Sequence, residues 1–262
     1  MVVFKVFLAV LAILPCTFAT AENVKQPNAR IVIQVGMGIR PPFLDASGTS
    51  GAGVDILVAL NKVQSKFKFV HRFIPAMRTQ ESIARGWVDI SMWDNPKWGW
   101  KDGEVSPSKA LVASRDVYIT RKSATKTQAF FEKITDKKLA VVNGYHYKIF
   151  KFENAPKLLD QLYDVSLVGS EEAVIKKVLA NRSEVGIVSE TALNWYFKQH
   201  PEASASILVS DKSDTQYKRY FLIADETTIK VEELNRFLKI ADENQLLTPI
   251  YHYYRLPKPS FN

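Results

Sequence analysis

The sequence predicts an α/β protein made of two successive α/β units. Strand-like and helix-like segments alternate along the 262 residues, at the spacing that βαβ units require. The first strand ends in a loop with two adjacent prolines and three glycines, which exclude a helix and permit positive φ values. No low-complexity tract and no short repeat interrupts the alternation. The pattern therefore indicates a continuous α/β region, long enough to bury a full hydrophobic core.

Four strands and two helices are predicted in the first unit. The predicted strands span residues 30–36, 68–74, 88–93 and 110–120. Apolar residues at helical spacing predict a helix at 54–63, and a short helix is predicted between Pro75 and Gly86. Residues 94–103 hold two tryptophans among asparagine, proline and glycine, which indicates an irregular loop rich in aromatic residues.

The second unit repeats this alternation. The predicted strands span residues 138–142, 164–168, 185–188 and 207–210, and the predicted helices span residues 130–134, 156–163, 170–179 and 191–198. Ser170 is the predicted N-cap of the third of these helices, because Glu171 and Glu172 follow in its first turn. After a polar stretch at 211–218, a strand is predicted at 217–224 and helices at 231–244 and 246–254.

The N-terminus has the pattern of a secretory signal. Lys5 precedes an apolar run at 6–14, which is too short to span a bilayer, and Ala19 and Ala21 are small residues at the positions that a signal peptidase reads. We therefore expect a cleaved signal peptide at residues 1–21 and a periplasmic protein. Cleavage just before Cys16 would instead yield a lipid anchor, although the preceding proline fits that pattern poorly.

The charge pattern argues against a nucleic-acid partner. The chain has a formal net charge of +8, but its lysines and arginines are dispersed, which is typical of solvated faces. His146 has no neighbouring cysteine, histidine or carboxylate at ligand spacing, so neither a metal nor another cofactor is expected. Hydrolase elbows, zinc-protease helices and phosphate loops are also absent from the sequence.

The loop after the first strand is the first candidate for ligand binding. Ligands of α/β proteins bind beyond the carboxyl ends of the strands, and Phe43 follows the rigid pair Pro41-Pro42 at such an end. Phe43 therefore either forms part of a ligand site or packs on its own scaffold. Trp87 and Trp195 lie in patterned segments and are predicted to pack in the core.

Several motifs, in this order and spacing, resemble one family. They are Gly-Ile-Arg-Pro-Pro-Phe at 38–43, Gly-Val-Asp-Ile-Leu at 53–57, Ala-Arg-Gly-Trp-Val-Asp-Ile at 84–90, the strand and glycine at 135–144, and Ser-Glu-Glu-Ala at 170–173. Over nearly the whole mature chain, this arrangement resembles the extracellular solute-binding proteins that serve ABC importers of polar amino acids. Each motif alone is weak, and their order carries the resemblance.

The resemblance implies a two-lobed periplasmic-binding-protein fold with two hinge crossings and a central ligand cleft. Residues 28–118 and 212–262 would form lobe 1, and residues 119–211 would form lobe 2. The lobes would close on a bound ligand, and a membrane permease would recognise the closed form. We expect a monomer whose partners are a small-molecule ligand and an ABC permease.

The resemblance also implies a set of ligand-binding residues. They are Phe43, Trp93, Asp94, Asn95, Trp98, Lys101, Tyr145, His146, Ser189 and Glu190. Lys101 falls where the family has an arginine that grips the ligand's carboxylate, and lysine lacks the planar fork. Tyr145 and His146 stand where the family has two threonines after a glycine. Ser189 replaces an aspartate that accepts the ligand's amino group, so Glu190 or Asp94 would have to take that part.

These departures suggest a ligand other than a standard zwitterionic amino acid. The tryptophans favour a flatter, larger or cationic molecule. The function expected is therefore capture of a small polar or aromatic/cationic solute by lobe closure and its delivery to an ABC importer, without enzymatic activity. The alternatives are a ligand-sensing accessory protein for a receptor and a periplasmic enzyme of the dehydratase kind, with Glu190 or Asp94 as the acid.

Overall fold

The computed structural model describes residues 29–261, which contain a mixed sheet flanked by helices. The strands are β1 (Ile31–Met37), β2 (Phe67–Phe73), β3 (Ile90–Asp94), β4 (Val105–Pro107), β5 (Val112–Arg121), β6 (Leu139–Val142), β7 (Val165–Val168), β8 (Val185–Ser189) and β9 (Ile207–Ala224). The helices are α1 (Ala52–Lys62), α2 (Thr79–Ala84), α3 (Pro156–Leu162), α4 (Glu171–Leu179), α5 (Glu190–Gln199), α6 (Ala203–Ser206), α7 (Val231–Glu243) and α8 (Thr248–Tyr253).

The strand order is β2-β1-β3-β9-β5-β8-β6-β7, with β4 paired to β9. At one end, β1 lies parallel to β2 and β3, and at the other end β6 lies parallel to β7 and β8. In the middle, β9 is antiparallel to β3, β5 is antiparallel to β8, and the two central strands are antiparallel to each other. Each end of the sheet is thus a three-stranded parallel unit, and β5 and β9 join the two units.

Two lobes with separate hydrophobic cores result from this topology. The core of lobe 1 is formed by β1, β2 and β3 under α1, α7 and α8, with Ile56, Phe67 and Leu238 among its buried residues. In lobe 2, the parallel strands are covered by α4 and α5 on one face and by α3 and short turns on the other. Alternation of strands and helices therefore predicts the fold class correctly.

The two central strands pass from one core to the other. On β5, Val112 belongs to the core of lobe 1 and Val117 to that of lobe 2. On β9, Val209 packs against the core of lobe 2 and Phe221 belongs to that of lobe 1. The lobe limits at 118/119 and 211/212 stay predictions.

Three local predictions differ from the structure. The polar stretch at 211–218 is not a break, because β9 runs through it and pairs with β5 on both sides of two register shifts. The helix predicted at 130–134 is replaced by two short 3₁₀ turns, Gln128–Phe131 and Ile134–Asp136. Trp87 is 48% exposed rather than buried, and its ring packs under the Arg85 guanidinium. Trp195 does pack against the core of lobe 1, in contact with Tyr254.

The predicted signal peptide at 1–21, including Cys16, lies outside the described residues. Within residues 29–261, none of the helices combines the length and apolar character needed to cross a bilayer.

Gly186 on β8 gives a test of the packing of lobe 2. A Cβ at this position would lie 2.6 Å from Val174 and 2.9 Å from Val178, both on α4. We expect Gly186→Ala to lower the free energy of unfolding by about 1–3 kcal/mol, because overpacking forces side chains off their rotamers. Urea denaturation measures this change.

Gly169→Ala is the matched control, since no atom lies within 4 Å of its added Cβ. We expect it to leave the free energy of unfolding unchanged or to raise it by up to about 1 kcal/mol through the unfolded state. Equal losses in the two variants would contradict the packing of α4 on β8.

Candidate functional site

A cleft between the lobes encloses a cavity of about 480 Å³. Its walls come from the carboxyl ends of β1 and β3 in lobe 1 and of β6 in lobe 2, and its floor comes from β5 and β9. This is the edge at which α/β sheets bind ligands. An adjoining cavity of about 840 Å³ lies alongside and shares Trp98, His146, Phe152 and Tyr217 with the first.

Phe43 and Trp93 form the inner aromatic wall. Their rings stack at a centroid distance of 4.3 Å, and both side chains are buried while lining the cavity. Trp93 has a left-handed φ of 67° where the register between β3 and β9 shifts. Such bulges re-aim a side chain, and a left-handed aromatic residue carries strain of about 1–3 kcal/mol. The bulge therefore turns Trp93 towards Phe43 and the cleft.

Asp94 lines the cavity but is already hydrogen bonded. One carboxylate oxygen accepts a bond from the Ser91 hydroxyl at 2.8 Å, and the other accepts from the Asn95 backbone N–H at 2.7 Å. Burial raises the pKa of Asp94, while hydrogen bonds from Asn95, Ser91 and Trp100 oppose this effect. The Asn95 side chain donates to the Lys218 carbonyl at 2.7 Å. This hydrogen bond connects the loop after β3 to β9.

Arg219 is the most buried charged group of the cleft, with 3% of its surface exposed. Its Nη1 donates to the Trp93 carbonyl at 3.0 Å, and its Nη2 donates to the Tyr217 hydroxyl at 3.3 Å. The guanidinium also lies 4.7 Å from the ring centroid of Trp98, which meets Tyr217 edge-on. Cation–π contacts of this kind strengthen on burial, so Arg219 organises the aromatic floor.

Arg40 and Tyr145 meet across the cleft. The Arg40 Nε donates to the Tyr145 hydroxyl at 2.5 Å, and the guanidinium lies 4.5 Å from the centroid of that ring. Arg40 belongs to the loop after β1, and Tyr145 to the loop after β6. A second contact between the same lobes brings the Met77 sulfur close to Gly144. Both lobes thus touch at the cavity.

His146 lies at the rim of the cavity and is held by its own loop. Its Nδ1 lies 3.0 Å from the Phe152 carbonyl oxygen, and its Nε2 lies 3.2 Å from the Asn154 amide nitrogen. The pattern fits the tautomer with hydrogen on Nδ1, since the amide then donates to Nε2. Phe152 itself has a left-handed φ of 65° and lines both cavities.

Asp116 on β5 is the carboxyl group of the floor. It accepts a hydrogen bond from the Tyr217 hydroxyl at 2.8 Å and lines the cavity. Burial, followed by the nearby carboxylates of Glu171 and Asp214, raises the pKa of Asp116 to about 7, although Tyr217 and Arg219 act in the opposite direction. Asp116 therefore exchanges its proton near neutral pH.

The ten predicted site residues are not all brought together. Those that line one or both cavities are Phe43, Trp93, Asp94, Asn95, Trp98, Tyr145 and His146. Lys101 lies outside, with 85% of its side chain exposed and its ammonium 3.9 Å from Glu104. Ser189 is buried as the N-cap of α5, and Glu190 forms an ion pair with Arg115 at 2.8 Å. The part of each residue in ligand binding stays a proposal.

Among the cavity residues that the sequence analysis does not predict, four carry the charges and hydrogen bonds described above. They are Arg40, Asp116, Tyr217 and Arg219. Arg40 directly precedes the Pro-Pro pair, so its place in the loop after β1 was a usable indication. Thr215, Tyr217 and Arg219 recur at period two, which places them on one face of a strand. The polar composition of residues 211–218 masks this period, because such a composition is also typical of a loop. Nothing in the sequence around Asp116 marks it.

Comparison with known proteins supports the fold. Neither a family model nor a curated protein matches the sequence. Among solved structures, a histidine kinase sensor domain with similarity to periplasmic binding proteins matches at a TM-score of 0.67 and 14% identity, over 88% of this chain and 99% of that one. The substrate binding protein of an amino acid ABC transporter matches at a TM-score of 0.63 and 16% identity, over 85% of this chain and 98% of that one.

A third structure is an ancestral amino acid-binding protein that is a precursor of cyclohexadienyl dehydratase, with a TM-score of 0.61 and 16% identity, over 85% of this chain and 95% of that one. At such identities the likeness concerns the fold. The predicted fold is thus confirmed: the chain has the two-lobed α/β fold of periplasmic binding proteins and resembles their amino acid-binding class.

The raised pKa of Asp116 predicts a pH-dependent stability. In the unfolded chain this carboxyl loses its proton near its ordinary pKa of 3.8, whereas in the folded chain it keeps the proton up to about 7. The folded state therefore binds more protons between these values, and its stability falls as the pH rises through this window. Asp116→Asn should remove that fall, because its amide oxygen still accepts from Tyr217.

Urea denaturation at pH 5 and pH 8 tests this expectation. Each pKa unit corresponds to about 1.4 kcal/mol. The free energy of unfolding of Asp116→Asn, relative to that of wild type, should therefore be higher at pH 8 than at pH 5 by about a few kcal/mol. The exposed Asp160 supplies the control Asp160→Asn, which should show no such gain. An equal pH dependence in wild type and Asp116→Asn would refute the assignment.

Proposed function

We propose that the chain is a periplasmic solute-binding protein that captures a small polar or aromatic solute in the cleft and delivers it to an ABC importer. The supporting observation is the cavity of about 480 Å³, to which both lobes and both connecting strands contribute side chains. A solute bound there contacts both lobes at once, so its binding free energy favours the closed arrangement. The aromatic and charged lining of the cavity suits a small molecule with a planar part and a polar part.

Export and delivery follow from separate arguments. The N-terminal pattern of residues 1–21 is typical of a secretory signal, and the resemblance to binding proteins of ABC importers supplies the permease as partner. A ligand-sensing accessory protein for a receptor is the alternative within the same binding function, since a histidine kinase sensor domain shares the fold. Co-purification with a permease or with a receptor kinase distinguishes the two.

A periplasmic enzyme of the dehydratase kind is a second candidate. One feature favours it: Asp116 lines the cavity in a hydrogen bond with Tyr217, and burial raises its pKa to about 7, which is where a general acid works best. Asp94 is less suited, because both of its oxygens accept hydrogen bonds from its own loop. Glu190 lies outside the cavity in an ion pair with Arg115.

A thermal-shift screen of the mature protein tests the binding function. The compounds are amino acids, amines, aromatic acids and small peptides, each in large excess. A solute at about 100 times its dissociation constant adds about 2.7 kcal/mol, which at roughly 2 to 4 °C per kcal/mol for this size raises Tm by about 5 to 11 °C. Small-angle scattering should show a smaller radius of gyration with the same solute.

Trp98→Ala serves as the paired variant, because it removes one cavity wall without touching the cores. We expect its Tm shift with any hit to be smaller than that of wild type. If no compound raises Tm in wild type, the binding proposal fails. If chromatography shows that a hit is chemically converted during incubation, the enzyme candidate replaces the binding proposal.

A further inference from the structure

Two arginines face the cleft without a carboxylate partner. Within residues 29–261, neither Arg40 nor Arg219 has an aspartate or glutamate oxygen within 4.0 Å. Buried charges are normally paired, because removing an ion from water costs several kcal/mol. The cleft therefore holds two cations whose counter-charge is not supplied at close range by the described part of the chain.

Arg40 is the more available of the two. Its only hydrogen bond to a described residue runs from Nε to the Tyr145 hydroxyl, which leaves both terminal amino groups without a protein acceptor. The Tyr145 ring below the guanidinium holds it in place. An arginine fixed in this manner presents a planar pair of donors, which matches the geometry of a carboxylate.

Arg219 contributes charge from deeper in the floor. Two of its nitrogens donate to Trp93 and Tyr217, but its Nε is buried without a hydrogen-bond partner among the described residues. The side chain lines the cavity although it is 97% buried. Because Arg219 is largely removed from water, its positive charge is weakly screened and favours an anion bound at Arg40.

The acids of the cleft do not offer a comparable site for a cation. Both oxygens of Asp94 accept bonds from Ser91 and Asn95, and Asp116 accepts from Tyr217. The raised pKa of Asp116 further lowers its negative charge at neutral pH. The acid predicted at Glu190 is paired with Arg115 away from the cavity. Each of these acids is already engaged by a neighbouring group, whereas the terminal amino groups of Arg40 have no acceptor among residues 29–261.

We propose that the cleft selects an anionic aromatic solute, whose carboxylate binds Arg40 and whose ring packs among Trp98, Trp100 and Tyr145. This inference rests on the proposed solute-binding function and specifies its ligand class. It replaces the cationic ligand that the tryptophans alone suggest, because the tryptophans line the same cavity as both arginines. It also assigns the anion to the loop after β1 instead of to Lys101.

Three probes of matched shape test the charge. They are indole-3-propionate, its uncharged amide and the cationic tryptamine, titrated into the mature protein by calorimetry at pH 7.5. Wild type should bind the acid roughly 10- to 100-fold more tightly than the amide, as expected for hydrogen bonds to charged groups. Tryptamine should bind more weakly than the amide, since two arginines repel it.

The ratio of acid to amide affinity locates the anion site. Arg40→Met should bring this ratio to about one, and Arg40→Lys should leave an intermediate ratio, because the charge remains while the planar fork is lost. Tyr145→Phe removes the hydroxyl that holds Arg40 Nε but keeps the guanidinium and the ring, so it should lower the ratio only in part. Arg72→Met, at an exposed arginine on β2, is the matched control and should preserve the ratio.

Several outcomes would overturn the inference. They are a wild-type preference for tryptamine or the amide, an unchanged ratio in Arg40→Met with a normal Tm, or loss of the ratio in Lys101→Met instead. If wild type binds none of the three probes but another compound raises Tm in the screen, the anionic aromatic class is wrong and the binding function stands. If no compound binds at all, both proposals fail.

Discussion

The antiparallel pairing of β5 with β9 connects the two lobes, and the remaining elements are arranged around it. Each of these strands contributes apolar side chains to both cores, Val112 and Val117 on β5 and Val209 and Phe221 on β9. Their pairing shifts register on both sides of Val117, where the chain passes from one core to the other. Irregular pairing of this kind bends a sheet locally. The lobes are thereby joined by a bend, and the bend forms the floor of the cleft.

The electrostatics of the cleft follow from the position of β5 and β9 at its floor. Three side chains of β5 and β9 line the cavity between the lobes, namely Asp116, Tyr217 and Arg219. Both charged groups are therefore largely removed from water. Tyr217 bridges the two groups, since its hydroxyl accepts from Arg219 and donates to Asp116. The Trp93 carbonyl, exposed by the bulge in β3, accepts a further bond from Arg219. Backbone irregularity and buried charge therefore stabilise each other.

The fold by itself does not select among an importer component, a sensor and an enzyme, because a transporter's substrate binding protein, a histidine kinase sensor domain and a binding protein that is a precursor of a dehydratase all share it. What distinguishes this chain is the lining of its cleft. The charges that reach the cavity come from the loop after β1, from Asp94 at the end of β3 and from the floor strands. The resemblance places charge at Lys101 and Glu190 instead. Outside the cavity, Lys101 pairs with Glu104 and Glu190 pairs with Arg115. The proposed ligand chemistry thus depends on residues that the resemblance does not assign.

The sequence by itself determined the α/β class, most strand and helix positions and the loop that carries Phe43, because hydrophobic period, prolines and glycines act over short distances along the chain. The structure decided which polar groups share the cleft. Arg40 and Tyr145 are 105 positions apart, and Arg219 meets Trp93 across 126 positions, so no local pattern could bring them together. Asp116 acquires its raised pKa from burial in the cleft and from carboxylates on other elements, and β9 continues through a polar stretch because β5 supplies its partners. Local propensity thus specifies the elements, whereas long-range pairing specifies the site.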